Sequence, residues 1–208
     1  ISADVGGVSI NLSSGDDLRA TDGSFSVSSG ANIQILTDAI SSLEQTGALG
    51  VMVFNAAGNI SITNPNILAA GTLQFVAGGN VTLVGVTPAG TSGDEIQFFA
   101  GGQVLFDTLG IASGGVHATG GDVEIDGGSS VTIRSSQLTA TGNITINATG
   151  GDLTVQGDGG AGTNEIDATL SVNLNTSNNL FIQNTNLDAG TTMTVNAAGD
   201  ILIDPSTL

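Results

Sequence analysis

The side chains able to do chemistry in this chain are few and mostly of one kind. His117 is the one histidine, Arg19 and Arg134 are the only cations, and 19 carboxylates complete the set, with no Cys, Lys, Tyr or Trp. Hydrolysis by a serine or threonine nucleophile needs a base beside the hydroxyl. His117 is the sole candidate, within Gly114-Gly115-Val116-His117-Ala118-Thr119-Gly120. There it alternates with Val116, so it faces away from whatever Val116 packs against, and no Gly-x-Ser-x-Gly elbow accompanies it. Glycoside hydrolysis asks for two carboxylates at a set separation. Asp16–Asp17, Asp94–Glu95 and Glu124–Asp126 are close in sequence. They fall at turns or outward strand positions, where Asp is expected for turn chemistry alone.

Calcium is the metal that oxygen-only ligands suit. Gly159-Gly160-Ala161-Gly162-Thr163-Asn164-Glu165-Ile166-Asp167 matches the calcium nonapeptide of β-roll repeats, with Asn164 in place of Asp. Those sites form between tandem copies, and the next turn carries no second copy, so the segment also reads as a turn-rich insertion. Sequons at Asn11, Asn59, Asn80, Asn143, Asn147 and Asn175 are turn or strand Asn residues followed by apolar–Thr/Ser text, and read as by-products of the pattern. No catalytic, cofactor or metal residue is assigned, and the chain is read as no enzyme.

Net charge excludes further classes. A formal charge of −17 with two cations cannot neutralise a phosphate backbone or an anionic lipid surface. No apolar run approaches the roughly 20 residues of a membrane helix. Hydrophobic content of 39% nonetheless supplies a core that disordered chains lack. The chain opens on Ile1 without a charged-then-apolar leader, and reads as processed or as part of a longer one.

The elements that must position these residues are strands. Gly-Asn-Ile-Ser-Ile-Thr from Gly58, Gly-Asn-Val-Thr-Leu-Val from Gly79, Gly-Asn-Ile-Thr-Ile-Asn from Gly142 and Gly-Asp-Leu-Thr-Val-Gln from Gly151 each join a turn residue to an apolar–polar–apolar run. That is a half-buried strand of period two. Eight pairs of such strands run from Phe25 and Ile33 to Met193 and Ile201, with 8 or 9 residues within a pair and 21–28 between pairs. A sandwich does not need a near-constant superperiod. A parallel β-helix does, because each coil must return its strand above the equivalent strand of the coil before. The expectation is a single all-β domain over 1–208, a parallel β-helix of about eight coils, roughly 38 Å long at one strand spacing per coil. Phe54, Phe75, Phe98, Phe106 and Phe181 hold positions where rings can stack along the axis. Helix formers and the stop at Gly47 predict one short helix near residues 38–46.

These Gly-started units resemble the repeat regions of filamentous-haemagglutinin-type exoproteins, large bacterial adhesins secreted by the two-partner route. The resemblance covers most of the chain from Val51 to Ile203. It implies a right-handed parallel β-helix, a secreted location at the cell surface, and a structural or adhesive role with host or cell-surface glycans as partners. Asn64-Pro65-Asn66 also resembles the Asn-Pro-Asn signature of that family's secretion domain; from the residues alone it is a turn before a strand. The alternative class is a carbohydrate-binding or carbohydrate-processing β-helix, although the Asp-Asp, Gly-His-Gly and Arg-x-Lys set of polygalacturonase-like enzymes is missing. Both ends read as ordinary strand units, Val8–Leu12 and Ile201–Asp204. The expectation is therefore further repeats, or identical subunits stacked head to tail as an open filament.

Overall fold

An apolar–polar alternation on short strands forces one face inward, and parallel stacking lets successive strands share that face. The computed structural model describes every residue except 5, 14, 22, 38–41, 48–49, 65, 86–89, 109–114, 158–163 and 205–208. Its strands form three parallel sheets of nine, nine and eight strands. In each sheet the neighbour of a strand is its counterpart one turn of chain earlier or later. The chain is a parallel β-helix with a triangular succession of sheets. A typical rung is Ile96–Ala100, Val104–Asp107 and Gly115–Ala118, in the first, second and third sheet respectively. Eight such rungs and a ninth of two strands, Thr192–Ala197 and Ile201–Asp204, are present among the described residues.

The strand pairs legible in the sequence are the first and second sheets. The third sheet lies inside the longer, variable arm, and its strands contribute fewer apolar residues: Ile67 and Ala69, Val116 and Ala118, Leu138 and Ala140, Ile166 and Ala168. Variation in arm length falls mainly between the second and third sheets, where the chain re-enters the stack at different depths of sequence.

No helix is found among the described residues, and the helix expected near 38–46 is corrected here. Ser42–Gln45 is a strand of the third sheet, pairing Leu43 with Leu18 on one side and Ile67 on the other. Residues 38–41 of that expectation lie outside the described residues. Leu43 is fully buried in the column between Leu18 and Ile67. Closing the rung gives Leu43 that packing and gives the backbone partners on both sides, which outweighs a local helical preference of tenths of a kcal/mol per residue.

The interior is a set of columns running the length of the rod. Ile33, Ile60, Val81, Val104, Val131, Leu153 and Leu180 form one, in register across the second sheet. Phe54, Phe75 and Phe98 form another, with centroids 4.9 Å and 4.6 Å apart and rings within 8° and 2° of parallel. Phe106 meets Phe98 edge-on at 67° from the opposite wall, closing the aromatic cluster and not lengthening it. Phe181 does not join. It occupies an outward, half-buried position on Leu180–Gln183, one residue out of phase with the inward set.

Small residues end the inner face at each corner. The last inward position of the first sheet reads Ser29, Ala56, Ala77, Ala100, Gly127, Ala148 and Thr176. Beyond it the backbone of one rung passes directly over that of the next. A Cβ on Gly101 would stand 2.3 Å from the Gly78 carbonyl oxygen, so that corner admits glycine alone. After the second sheet the chain turns through left-handed geometry at Asn64, Ser135 and Asn184, with φ of 51°, 50° and 48°. The Thr37 hydroxyl donates to the Asn64 carbonyl and the Thr108 hydroxyl to that of Ser135, which engages oxygens displaced from the ladder by the turn.

Replacing Phe75 with alanine removes the middle ring of the stack and leaves a cavity bounded by two rigid rungs. The expected cost is about 3–5 kcal/mol in chemical denaturation, with little change in far-UV circular dichroism at low denaturant.

Candidate functional site

Corner asparagines that look reactive in the sequence hold rungs together. Between the first and second sheets, Asn32 Oδ1 accepts the Asn59 N–H at 2.8 Å, Asn59 Oδ1 that of Asn80 at 2.8 Å, and Asn80 Oδ1 that of Gln103 at 2.8 Å. Asp152 and Asn179 continue the same arrangement to Asn179 and Asp200 at 3.0 Å each. At the corner leading back to the first sheet, Asp122 Oδ1 accepts the Asn143 N–H at 2.6 Å. A corner amide has no strand partner, and a carboxamide or carboxylate from the adjacent rung replaces it. Five of the six sequon residues, Asn59, Asn80, Asn143, Asn147 and Asn175, have side chains engaged between rungs in this way or on the outer face.

The carboxylate pairs are also placed by the ladders. Asp17 Oδ1 accepts the Ser42 hydroxyl at 2.7 Å and its N–H at 3.1 Å. Glu95 accepts the Gln97 amide at 3.1 Å, which also reaches Glu124 at 3.4 Å. Glu124 and Asp126 face outward on one strand of the first sheet. Partial burial pushes the Glu124 carboxyl above the ordinary range, with further contributions from Asp126, Glu95 and Asp122 against relief by the Gln97 amide. Both arginines are paired across neighbouring rungs, Arg19 with Glu44 and Arg134 with Asp107 at 3.4 Å. These are exposed pairs and add little stability.

His117 faces outward on the third sheet, opposite to the fully packed Val116. Its Nδ1 lies 2.9 Å from the Thr139 hydroxyl of the next rung, and burial lowers its pKa against the opposing field of Glu165. A hydroxyl–imidazole pair is half of a nucleophilic dyad. Among the described residues the ring makes no second hydrogen bond that would orient it, so the contact is a link in an outward column continuing to Asp167.

Residues 159–163 of the calcium-like segment lie outside the described residues. Asn164 points inward and is fully buried. Its Oδ1 accepts the Ser136 N–H at 2.7 Å and its Nδ2 donates to Thr185 at 3.3 Å. The carboxamide oxygen that would replace the missing aspartate is thereby engaged inside the rod. No group of three or more His, Asp or Glu able to hold a metal occurs among the described residues.

A concave surface lies on the outer face of the first sheet. Asn147 Nδ2 donates to Asp126 Oδ1 at 2.6 Å, Asn175 Nδ2 to Asn147 Oδ1 at 2.9 Å, and Asn196 Nδ2 to Asn175 Oδ1 at 2.9 Å. This amide column forms one wall of a groove of about 330 Å³ whose other wall is the adjoining corner, Thr149, Thr176 and Ser177. A second groove of about 250 Å³ is lined by Thr119, Thr139, Thr141, Thr169 and Asp167 on the third sheet. Sequence reading missed the amide column because its members are 21, 28 and 21 residues apart and meet only once the register is known.

No family model, curated protein or solved structure matches the chain.

A raised Glu124 pKa has a definite sign in stability. Between the unfolded and the higher folded value, the native state holds more protons, so stability falls as pH rises through that window and the penalty is complete above it. Glu124→Gln is expected to raise the urea midpoint at pH 7 and to leave it unchanged below pH 4, as measured by equilibrium unfolding at the two pH values.

Proposed function

We propose that the chain is a structural or adhesive segment of an extracellular bacterial fibre or surface exoprotein, built as a rod whose function is carried by its length and outer faces. The observation that carries this reading is the unbroken stacking. The three sheets pair rung on rung through every full rung, and the inner columns of the first and second sheets run with them. The resemblance of Gly142–Asn147 and Gly151–Gln156 to exoprotein repeats supports the secreted, surface location. An acidic, hydroxyl- and amide-rich exterior suits such a role, since excess like charge opposes nonspecific association.

Partners at the ends follow from the last rung. Ile201, Leu202 and Ile203 are 51%, 48% and 39% exposed, whereas Val8 and Ile10 on the first rung are each 8% exposed. A rung with exposed apolar side chains is a template for one more rung, from adjoining repeats or from an identical subunit. Sedimentation over a range of concentrations is expected to show end-to-end assembly that the double substitution Ile201→Lys, Ile203→Lys suppresses. A monomer at every concentration would remove self-stacking from the proposal.

The rival reading, a carbohydrate-processing β-helix, is favoured only by the carboxylates around Glu124. Soluble polysaccharides are expected to release no reducing sugar on incubation. Saturable release lost in both Glu124→Gln and Asp126→Asn would reverse that expectation.

A further inference from the structure

The outer groove of the first sheet has a composition and a shape that packing does not explain. Each carboxamide carries two N–H donors and one acceptor oxygen. In the column Asp126, Asn147, Asn175 and Asn196, each NH₂ group uses one hydrogen on the rung before it. The other hydrogen of all three points away from the ladder, so the wall presents three donors spaced one rung, about 4.8 Å, apart. Asp126 ends the row with a second carboxylate oxygen as acceptor, and Phe99, its register partner on the previous rung, adds a half-buried ring facing the same way.

The corner beside the groove also departs from its neighbours. The connection between Ala148 and Leu153 has four residues, Thr149, Gly150, Gly151 and Asp152, where those on either side, 128–130 and 177–179, have three. Thr149 and Ser177 take the same first corner position on successive rungs, and both line the second wall of the groove beside the amides. A volume of about 330 Å³ falls at the lower end of small-ligand sites.

We propose that this groove binds a neutral oligosaccharide lying along the rod axis. The proposal rests on the adhesive reading above and names its ligand class. Hydroxyl groups both donate and accept, and they suit a wall of amides and hydroxyls better than any group limited to one role. The ring of Phe99 offers an apolar platform for the C–H face of a terminal sugar. Anionic ligands are opposed by Asp126 and Glu124, with both arginines on other sheets and already paired. Basic peptides find a single carboxylate in the groove, with the uncharged amides making up the rest of the row.

The test is a side-chain amide NMR titration of the ¹⁵N-labelled full chain with cellotetraose, maltotetraose, chitotetraose and mannotetraose as probes. At least one is expected to shift the NH₂ resonances of Asn147, Asn175 and Asn196 saturably. Asn175→Thr, which keeps a good strand residue at the centre of the row, is expected to weaken that binding about tenfold or more. The proposal is overturned if none of the four probes moves these resonances, if sialyllactose or a decalysine peptide moves them instead, or if Asn175→Thr binds as well as the parent. The wild-type titration decides the matter even if the variant does not fold. Concentration-dependent shifts of the same resonances without sugar would also overturn it, in favour of lateral pairing of rods. Sedimentation of the same samples separates the two levels. A chain that stacks but ignores sugars loses only the groove, and one that binds sugar without stacking loses only the self-assembling rod.

Discussion

Every backbone N–H and C=O in a solenoid must find its partner one rung away, and this constraint determines most of what the sequence contains. Within a rung the three strands do not pair with one another; they pair only above and below. Register is therefore shared by the whole stack. A one-residue slip on any strand would turn Val, Ile and Leu outward and Thr or Asn inward, and the rungs on both sides would lose their partners with it. The Phe54–Phe75–Phe98 stack, parallel to within 8°, is a product of that shared register as well as a contributor to it.

Corners are where the constraint is hardest to satisfy, because a turning backbone leaves the ladder. The protein meets this with three devices. Small residues at the end of the first sheet let rungs approach. Asn or Asp before the next strand accepts the amide of the rung that follows it. Residues with positive φ after the second sheet aim a carbonyl at a threonine hydroxyl from the preceding rung. The abundance of Gly and Asn, which in another chain would suggest disorder or glycan attachment, is explained by the 25 corners that join the 26 strands.

This division accounts for what could be read beforehand. The first and second sheets were legible because from Phe25 onward each strand carries two apolar residues of period two, many beside an Ala-Gly-Gly-Asn-type turn. The third sheet was not, since Gly90–Ser92 has no large apolar residue and Gly115–Ala118 has only Val116. Ser42–Gln45 was misread as helical for the same reason: alone it has helix formers, and only Leu18 and Ile67 on adjacent rungs show that Leu43 belongs to a column. Phe181 shows the reverse error. Its type suggested the aromatic stack, while its parity, one residue after Leu180, places it outside. The carboxylates and His117 were placed outward correctly, because alternation alone decides that, but their ladder partners could not be known without register.

Outside the rod the same constraint works differently. An inward side chain is limited by the columns it touches, so its identity is nearly fixed to Val, Ile, Leu or Phe. An outward side chain is limited only by strand preference and by its neighbours in one column. Thr145, Asn147, Asn173 and Asn175 thus occupy positions where the core makes no demand, yet Asn147 and Asn175 align into a continuous amide row with Asn196. Beside that row lies a second departure from necessity, a nine-residue step from Ile144 to Leu153 where the pairs from Phe25–Ile33 to Met193–Ile201 otherwise take eight. An inserted corner residue must be tolerated by two flanking rungs, and Gly150 and Gly151 make that possible: a Cβ on Gly150 would stand 2.4 Å from the Gly128 carbonyl oxygen. The stack thus separates the residues that stabilise from those free to recognise. The one corner at which it admits an extra residue between the first and second sheets lies beside the amide row and its groove.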